Sequence, residues 1–255
     1  MKITTRLIPA TFVKRDNRFR VTVQVEGHPV WAHLPNSGRL GELLVPGRRV
    51  LLAIAQAPGR RTSYDLLMVD LDGTLVSMDA RKPGPLLHEA LRAGRLGEFA
   101  GYAKVQCEVP YGQSRLDLAL EGGPAGGRCF IEAKSVTLVE KGVALFPDAP
   151  TQRGHRHLDE LVRARAEGHR AAVVFVVQRD DALCFSPHDT ADPAFSQALR
   201  QAARVGVEVY AYKCRVNEEE VTLDTPLPVA GLGAQATLKE MEPVTDEEGV
   251  QKANA

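Results

Sequence analysis

Two short segments of alternating apolar and polar residues, separated by a glycine-rich turn, constrain the fold of this chain most strongly. The first is SRLDLAL at 114–120 and the second is CFIEAKS at 129–135. Because side chains alternate between the faces of a strand, Glu132 and Lys134 point the same way. If the strands pair across the turn, one face carries Asp117, Glu132 and Lys134. Two carboxylates so placed suit a hard divalent cation, whereas the simpler interpretation is a hairpin with one solvated face.

The composition is that of a soluble globular protein. The 255 residues are 44% hydrophobic and 25% charged, which is sufficient to form a buried core. No run approaches the roughly 20 apolar residues that a membrane span needs, and the first residues do not read as a secretory signal. The four cysteines are widely spaced and form no C-x-x-C pair, which favours buried thiols over a zinc or redox site. We therefore expect a cytoplasmic protein without a membrane partner.

Charge is distributed unevenly along the chain. Residues 1–85 hold 13 lysines and arginines against 7 aspartates and glutamates, whereas residues 218–255 hold 2 against 9. A basic first third followed by an acidic tail is a pattern found in nucleic-acid-binding proteins. A modest basic excess on a small domain also occurs without such a partner.

Residues 1–82 are predicted to form short strands joined by turns. Five strands are predicted, at 19–25, 29–34, 48–55, 64–71 and 75–78. Five strands without a long helix indicate a small closed barrel of the OB type, which binds oligonucleotides or sugars through basic and aromatic side chains. We interpret Trp31 as a core residue, although it and Phe19 could instead stack on bases. Six arginines of this domain are candidate phosphate contacts. We assign four of them to nucleic-acid binding, namely Arg18, Arg39, Arg60 and Arg61; the other two are Arg15 and Arg20.

Residues 83–223 are predicted to form a mixed α/β domain after a break at RKPGP. Helices are expected at 86–96, from Thr151 to Gly168 and at 193–205; strands are expected at 102–109, in the hairpin, and at 170–177, 183–187 and 207–213. Their order places helices on both faces of the sheet. The helix that Thr151 caps carries Arg153 and His157 on one face. Residues 224–255 are expected to be an acidic, flexible tail.

This order of elements resembles a known nuclease core. A helix with Glu89, a strand with Asp117, and a strand with Glu132-x-Lys134 are together similar to the PD-(D/E)-x-K nuclease superfamily. Within it, the chain resembles the bacterial and archaeal sugar fermentation stimulation protein A family, whose members are described as DNA-binding. The matching segments are HLPNSGRLGELLVPG, SRLDLAL, CFIEAKSVTL, FPDAPTQRGHRHLDEL and VEVYAYK. The resemblance implies an N-terminal OB-like barrel followed by a restriction-endonuclease-like α/β domain.

The resemblance also implies roles for the polar residues of the hairpin. Asp117 and Glu132 would bind a divalent metal, Mg²⁺ or Mn²⁺, and Lys134 would polarise the attacking water. Glu89 would supply a further carboxylate. Leu116 stands where the superfamily name has proline, a position that varies.

Beside this site, Arg153 and His157 would face the metal or a phosphate. The implied activity is metal-dependent phosphodiester hydrolysis of nucleic acid, with DNA as the expected partner. Two alternatives stay open from the sequence: a non-catalytic DNA-binding regulator of sugar-utilisation genes, and a metal-dependent hydrolase of small nucleotides.

Overall fold

A computed structural model describes residues 1–55, 59–123 and 127–233 of the chain. A 3₁₀ turn lies at Gly97–Phe99, and the helices are α1 (Pro83–Arg92), α2 (Gln152–Ala166) and α3 (Pro193–Arg204). The strands are β1 (Leu7–Asn17), β2 (Arg20–Val25), β3 (His28–His33), β4 (Arg49–Ile54), β5 (Tyr64–Leu71), β6 (Thr74–Ser77), β7 (Lys104–Tyr111), β8 (Ser114–Glu121), β9 (Cys129–Val136), β10 (Val139–Glu140), β11 (Val143–Phe146), β12 (Arg170–Val177), β13 (Cys184–Pro187), β14 (Glu208–Val216) and β15 (Val221–Pro226).

The first six strands form the predicted OB barrel. Their order is β3-β2-β1-β4-β5-β6, and a parallel pairing of β3 with β5 closes the barrel. Large apolar side chains such as Phe12, Val21 and Leu66 fill its interior. Burying this apolar surface is the main stabilising contribution to such a small barrel.

The longest strand of the barrel was not predicted. Strand β1 is 11 residues long, pairs with both β2 and β4, and changes register after Phe12 and after Arg15. Its second half, VKRDN, is charged and lacks the clean alternation that marks a half-buried strand. The irregular register bends the strand, so that it contributes to both sides of the closed sheet.

The second domain is a mixed sheet with helices on both faces, as predicted. The strand order is β15-β14-β12-β9-β8-β7; β9, β12 and β14 are parallel, and the outer pairs are antiparallel. Helix α1 packs through Leu86, Leu87 and Ala90 on one face. Helices α2 and α3 cover the other face, where Leu161 and Phe195 join the same core. Both faces of the central strand β12 are therefore buried.

The start of α2 lies where the sequence predicts it, and that of α1 does not. Thr151 caps α2, since its Oγ1 accepts a hydrogen bond from the amide of Gly154 at 3.0 Å. The predicted helix at 86–96 begins three residues earlier, at Pro83. Proline suits the first position of a helix because its missing N–H would have no partner there.

The barrel is fixed against the second domain by apolar packing and by a buried polar contact. Leu51 and Met68 of the barrel belong to the same apolar core as the buried side chains of α1. At the end of β12, Gln178 accepts a hydrogen bond from the Ser77 amide at 2.9 Å and one from its hydroxyl at 3.0 Å. Both residues are fully buried. Buried and paired polar groups of this kind specify one relative orientation.

The predicted flexible tail does not begin at residue 224. Strand β15 continues to Pro226 and pairs with β14, and the side chains of Leu227 and Leu232 are buried in the core beneath α3. The backbone of Phe185 also bonds to Pro228 at 2.9 Å. The chain therefore remains packed through Leu232, and residues 234–255 of the predicted tail lie outside the described residues.

The cysteines are free thiols, but they are not all buried as predicted. Cys129 and Cys214 are buried, whereas Cys107 is exposed and Cys184 is partly exposed. Cys107 lies on the edge strand β7, along which every residue is at least partly exposed.

None of the helices in the described part of the chain combines the length and apolar character that crossing a membrane requires.

Candidate metal and nucleic-acid site

A cleft of about 470 Å³ lies between the barrel and the second domain. The barrel contributes Arg18 and the loop at 36–38, and the connecting segment contributes Arg81 and the start of α1. The second domain contributes its polar hairpin residues and the N-terminus of α2. Five of the residues assigned from the sequence line this cleft: Arg18, Asp117, Glu132, Lys134 and Arg153.

The predicted face of the hairpin is present. Strands β8 and β9 are antiparallel with Leu118 opposite Ile131, so the same register places Asp117 opposite Glu132. The Oδ2 atom of Asp117 accepts a hydrogen bond from the amide of Ala133 at 2.7 Å. Glu132 and Lys134 are two residues apart on β9, so their side chains lie on the same face of the strand. The two carboxylates and the ammonium are therefore close together at the floor of the cleft.

Glu132 is held by one oxygen only. Its Oε1 accepts a hydrogen bond from Lys134 Nζ at 2.7 Å and makes a short contact with His157 Nδ1. His157 extends from α2, and its Nδ1 lies 3.2 Å from Lys134 Nζ. Arg153 Nε lies 3.4 Å from His157 Nε2 and donates to it, which leaves the proton of a neutral ring on Nδ1 for Glu132.

The second oxygen of Glu132 has no partner among the described residues. Oε2 is inaccessible to solvent and forms no hydrogen bond. Burial alone would raise the pKa of Glu132, but the ammonium of Lys134 and the hydrogen bond from His157 outweigh burial and hold it below its usual value. An ionised, buried oxygen without a hydrogen bond is unfavourable, so its presence here points to a positively charged ligand.

Asp117 has the opposite balance. Burial, together with the negative charge of Glu132, raises the pKa of Asp117 to about 6, despite the bond from the Ala133 amide. The two carboxylates thus share a poorly solvated space, in which the Lys134 ammonium offsets part of their charge. A cation between them would lower the pKa of Asp117 again.

These residues fit a divalent cation that also binds water and substrate. Asp117 and Glu132 supply the carboxylate oxygens that Mg²⁺, Mn²⁺ and Ca²⁺ prefer. Within residues 1–55, 59–123 and 127–233, no group of three or more His, Cys, Asp and Glu side chains is arranged to hold a metal ion. The remaining ligands would therefore be water and phosphate oxygens, which is the usual manner of Mg²⁺ binding.

The structure does not bring Glu89 to the cleft, which corrects its predicted place in the site. The Glu89 carboxylate lies 3.3 Å from the amino group of Met1 and 3.8 Å from Arg95. The start of α1, not its middle, faces the hairpin: a Cβ added at Gly84 would lie 3.7 Å from Asp117. Glu89 is five residues further on, about 7.5 Å along the helix axis, and it lies in another depression beside Met1.

The six predicted nucleic-acid contacts divide into distinct groups. Arg18 and Arg153 line the cleft, and neither forms a salt bridge within the described residues. His157 is buried beneath the cleft, against Glu132 and Lys134. The remaining barrel residues lie outside the cleft lining: Arg39 and Arg61 are exposed, and Arg60 is paired with Asp65.

Arg15 supports the cleft rather than facing a ligand. Its guanidinium donates to five carbonyl oxygens at 2.7–3.3 Å, those of Asn17, Arg18, Asn36, Gly38 and Arg39. These carbonyls belong both to the β1–β2 turn and to the loop at 36–39. Since one side chain binds both segments, it fixes the position of Arg18 relative to the loop.

The loop at 36–38 contributes a wall that sequence reasoning missed. Asp148 Oδ2 accepts a hydrogen bond from the Leu40 amide at 3.2 Å. A Cβ added at Gly38 would lie 2.5 Å from that same oxygen and 3.2 Å from Asn36 Oδ1. Only glycine permits this approach. The two segments that meet here are PNSGRL and FPDAP, and both contain proline and turn-forming residues. Those residues predict two loops, but they do not predict that the loops are in contact.

Trp31 is not the core residue that we expected. Its side chain is 52% exposed on β3, whereas its neighbour Ala32 is fully buried. The guanidinium of Arg20 lies over the indole, 4.4 Å from the ring centroid.

Comparison with known proteins identifies the family. Residues 13–78 match the model of the SfsA N-terminal OB domain, and residues 81–220 match that of the sugar fermentation stimulation protein RE domain. The chain is 49% identical over 227 residues to a sugar fermentation stimulation protein homolog of Desulforamulus reducens, covering 89% of this chain and 94% of that protein. The chain belongs to the sugar fermentation stimulation protein family. A homolog from Moorella thermoacetica is 47% identical over 90% of this chain and 99% of that protein.

A solved member of this family has the same fold. The structure of Pyrococcus furiosus SfsA in complex with Ca²⁺ superposes with a TM-score of 0.81 at 31% identity. The match covers 90% of this chain and 97% of that one. Both domains of the family are therefore present here, with the barrel first.

Proposed function

We propose that this chain is a divalent-cation-dependent phosphodiesterase that binds and cleaves DNA. The observation that carries the proposal is the unpartnered Oε2 of Glu132, buried beside Asp117 in a cleft rimmed by arginines. The Ca²⁺ in the Pyrococcus furiosus relative supports a divalent ion, and Mg²⁺ or Mn²⁺ is the one we propose for catalysis. In this assignment residues 1–82 hold the nucleic acid and residues 83–223 carry the chemistry.

The side chains of the cleft would divide the work of hydrolysis. Asp117 and Glu132 would hold the cation, which supplies Lewis acidity and a more acidic bound water. Lys134 places a positive charge where negative charge builds on the phosphoryl oxygens. His157 keeps Glu132 oriented through Oε1 and so leaves Oε2 free. His157 is thus a positioning residue.

The rim of the cleft is suited to the phosphates beside the reacting one. Arg18 and Arg153 present guanidinium groups from opposite domains, and a guanidinium binds a phosphate through two parallel hydrogen bonds. The first turns of α1 and α2 line the same cleft. Their partial positive charge adds to the attraction for phosphate.

Cleavage assays test this proposal directly. Purified protein with Mn²⁺ or Mg²⁺ is expected to cut single- or double-stranded DNA, and EDTA to stop it. Asp117→Asn, Glu132→Gln and Lys134→Met should each lower the rate by at least about 100-fold, a typical loss for one group that stabilises developing charge. Glu89→Gln is the matched carboxylate control and should cut at the wild-type rate, because Glu89 lies outside the cleft.

The assays also distinguish the alternatives. If DNA binds in the wild type but neither DNA nor RNA is cut with either metal, the phosphodiesterase proposal fails. The chain would then be a DNA-binding regulator, in keeping with the name of its relatives, which refers to sugar fermentation and to no reaction. Cleavage confined to dinucleotides would indicate a small-nucleotide hydrolase.

Salt dependence tests the assigned cations. If Arg18 and Arg153 each contact a phosphate, changing one to methionine should reduce the slope of log affinity against log salt by about 1. The same change at Arg60 should have a smaller effect, because its guanidinium already pairs with Asp65. Equal slopes in all three variants and the wild type would exclude Arg18 and Arg153 as phosphate contacts.

A further inference from the structure

Two exposed aromatic rings mark one side of the barrel. Trp31 is 52% exposed and Phe19 is 49% exposed; the other large apolar residues exposed in the described chain are aliphatic. Strand alternation places Trp31 on the outer face of β3, next to Thr22 of β2. Phe19 is in the β1–β2 turn. Isolated exposed apolar residues are ordinary, but these two carry a second feature.

Each ring has an arginine beside it. The Arg20 guanidinium is 4.4 Å from the Trp31 centroid, and that of Arg18 is 5.9 Å from the Phe19 centroid. Arginine and an aromatic ring attract each other through the ring quadrupole. We define the aromatic surface as the side chains of Arg18, Phe19, Arg20 and Trp31. This surface pairs flat π faces with charges that suit phosphate.

The aromatic surface has a net positive charge. Lys14 lies in the same row of the sheet, opposite Thr22. Among the ion pairs of the described residues, Lys14 and Arg20 both pair with Asp16, each at 3.8 Å. With Arg18, these residues carry three positive charges and one negative charge, and this excess attracts a polyanion.

The aromatic surface is continuous with the cleft through Arg18. The Arg18 side chain lines the cleft, and its carbonyl is bound by Arg15 at 2.8 Å. Arg15 also binds the carbonyl of Gly38 in the cleft wall, at 2.7 Å. The β1–β2 turn is therefore fixed between the exposed rings and the carboxylates.

We propose that the aromatic surface stacks unpaired bases, and that the substrate is a single strand running from Trp31 past Arg18 into the cleft. A base stacks on an exposed ring only if its face is free, which a duplex does not offer. This inference rests on the proposed function, because it names the form of nucleic acid that the cleft receives. An OB barrel commonly binds single strands on its β2–β3 face.

Trp31 is the only tryptophan of the chain, so its fluorescence reports this surface alone. The experiment titrates full-length protein in EDTA with oligo(dT) of about 20 nucleotides and with a duplex of equal length. Saturable quenching by the single strand is expected, with clearly weaker binding of the duplex. Trp31→Ala should weaken oligo(dT) binding, followed by anisotropy of a labelled strand, about 5- to 150-fold. This range corresponds to about 1–3 kcal/mol per stacked base.

Two variants control for other causes. Trp31→Phe retains a ring and should recover most of the affinity. Val205→Ala truncates another exposed apolar side chain, after α3, and should bind like the wild type. The inference is overturned if oligo(dT) leaves the fluorescence unchanged, if duplex and single strand bind equally, or if Trp31→Ala binds normally. These titrations contain no divalent cation, so their result does not depend on cleavage. If oligo(dT) quenches the fluorescence but the protein cuts no nucleic acid with Mn²⁺ or Mg²⁺, the proposed cleavage activity is wrong and the binding of single strands still holds.

Discussion

The affinity for a divalent cation should fall about tenfold between pH 7 and pH 5. Burial and Glu132 raise the pKa of Asp117 to about 6, and a cation must displace the proton that this carboxyl then holds. The ionised fraction is about 0.9 at pH 7 and about 0.09 at pH 5, a ratio of about 10 or about 1.4 kcal/mol. At the ordinary pKa of 3.8, the same change of pH would cost only about 6% of the affinity.

Calorimetric titration with Ca²⁺ at pH 7 and pH 5 measures this ratio. Glu132 contributes little over this range because its pKa is held below the usual value. Asp117→Asn removes the titrating group, so its weaker binding should be nearly independent of pH. A decrease of less than twofold in the wild type, or an equal decrease in the variant, would refute the reasoning.

The stability of the metal-free protein provides a second measurement of the same group. The folded-state pKa of Asp117 lies above its unfolded value, so protonation favours the folded state. The stabilisation is complete below about pH 4 and is lost as the pH rises through about 6. A difference of about two units corresponds to at most about 3 kcal/mol. Urea unfolding measures the free energy of unfolding of the wild type and of Asp117→Asn. The wild-type value minus that of the variant should increase by up to this amount from pH 7 to pH 4, and a difference independent of pH would contradict the prediction.

Three further substitutions test the cleft and its supports. Gly38→Ala would place a methyl group 2.5 Å from Asp148 Oδ2, so the carboxylate must move away from the Leu40 amide that it binds. We expect about 1–3 kcal/mol of destabilisation by urea unfolding; an unchanged midpoint would mean that this hydrogen bond does not stabilise the fold. Arg15→Met removes charge-assisted bonds to five carbonyls, so DNA affinity should fall even though Arg15 lies outside the cleft lining; Arg15→Lys should recover part of it. Glu89→Gln should leave Ca²⁺ affinity within twofold of wild type, and a larger loss would return Glu89 to the site.

The parts of the site that the sequence predicted are those with local patterns. Alternation in the hairpin places Glu132 and Lys134 on one face without reference to the rest of the chain. The position of Thr151 after a proline predicts where α2 begins, which brings His157 beneath that face. Glu89 was misplaced because the resemblance assigned its role, and a resemblance does not show which turn of the helix faces the hairpin. In the structure α1 begins at Pro83 and its first turn, at Gly84, faces Asp117.

The parts that could not be predicted depend on how the barrel closes. Alternation along β3 separates Trp31 from Ala32, but it does not say which of the two faces is enclosed. Hydrophobicity favours tryptophan inside, yet the closed barrel buries the alanine and leaves the indole exposed. The contact of Gly38 with Asp148 joins residues 110 apart in the chain, and no local pattern encodes it.

The charge of the cluster predicts one result that differs from simple loss of function. At pH 7 Asp117, Glu132 and Lys134 together carry about one net negative charge, since Asp117 is about 90% ionised. Without a cation this charge repels a phosphodiester. Asp117→Asn neutralises it, so the metal-free variant should bind DNA more tightly than the metal-free wild type. At a separation of about 8 Å and an effective dielectric constant of about 20–40, the gain is about 1–2 kcal/mol, or about 5- to 30-fold.

Fluorescence anisotropy in EDTA at low salt measures this difference. At pH 5 the two proteins should converge, because the wild-type carboxyl is then mostly protonated. With saturating Ca²⁺ the order should reverse, since the cation binds better to the wild type and makes the cluster net positive. Weaker binding by metal-free Asp117→Asn at pH 7 would mean that Asp117 contacts DNA by itself, and the assignment of its carboxylate to a cation would have to be abandoned.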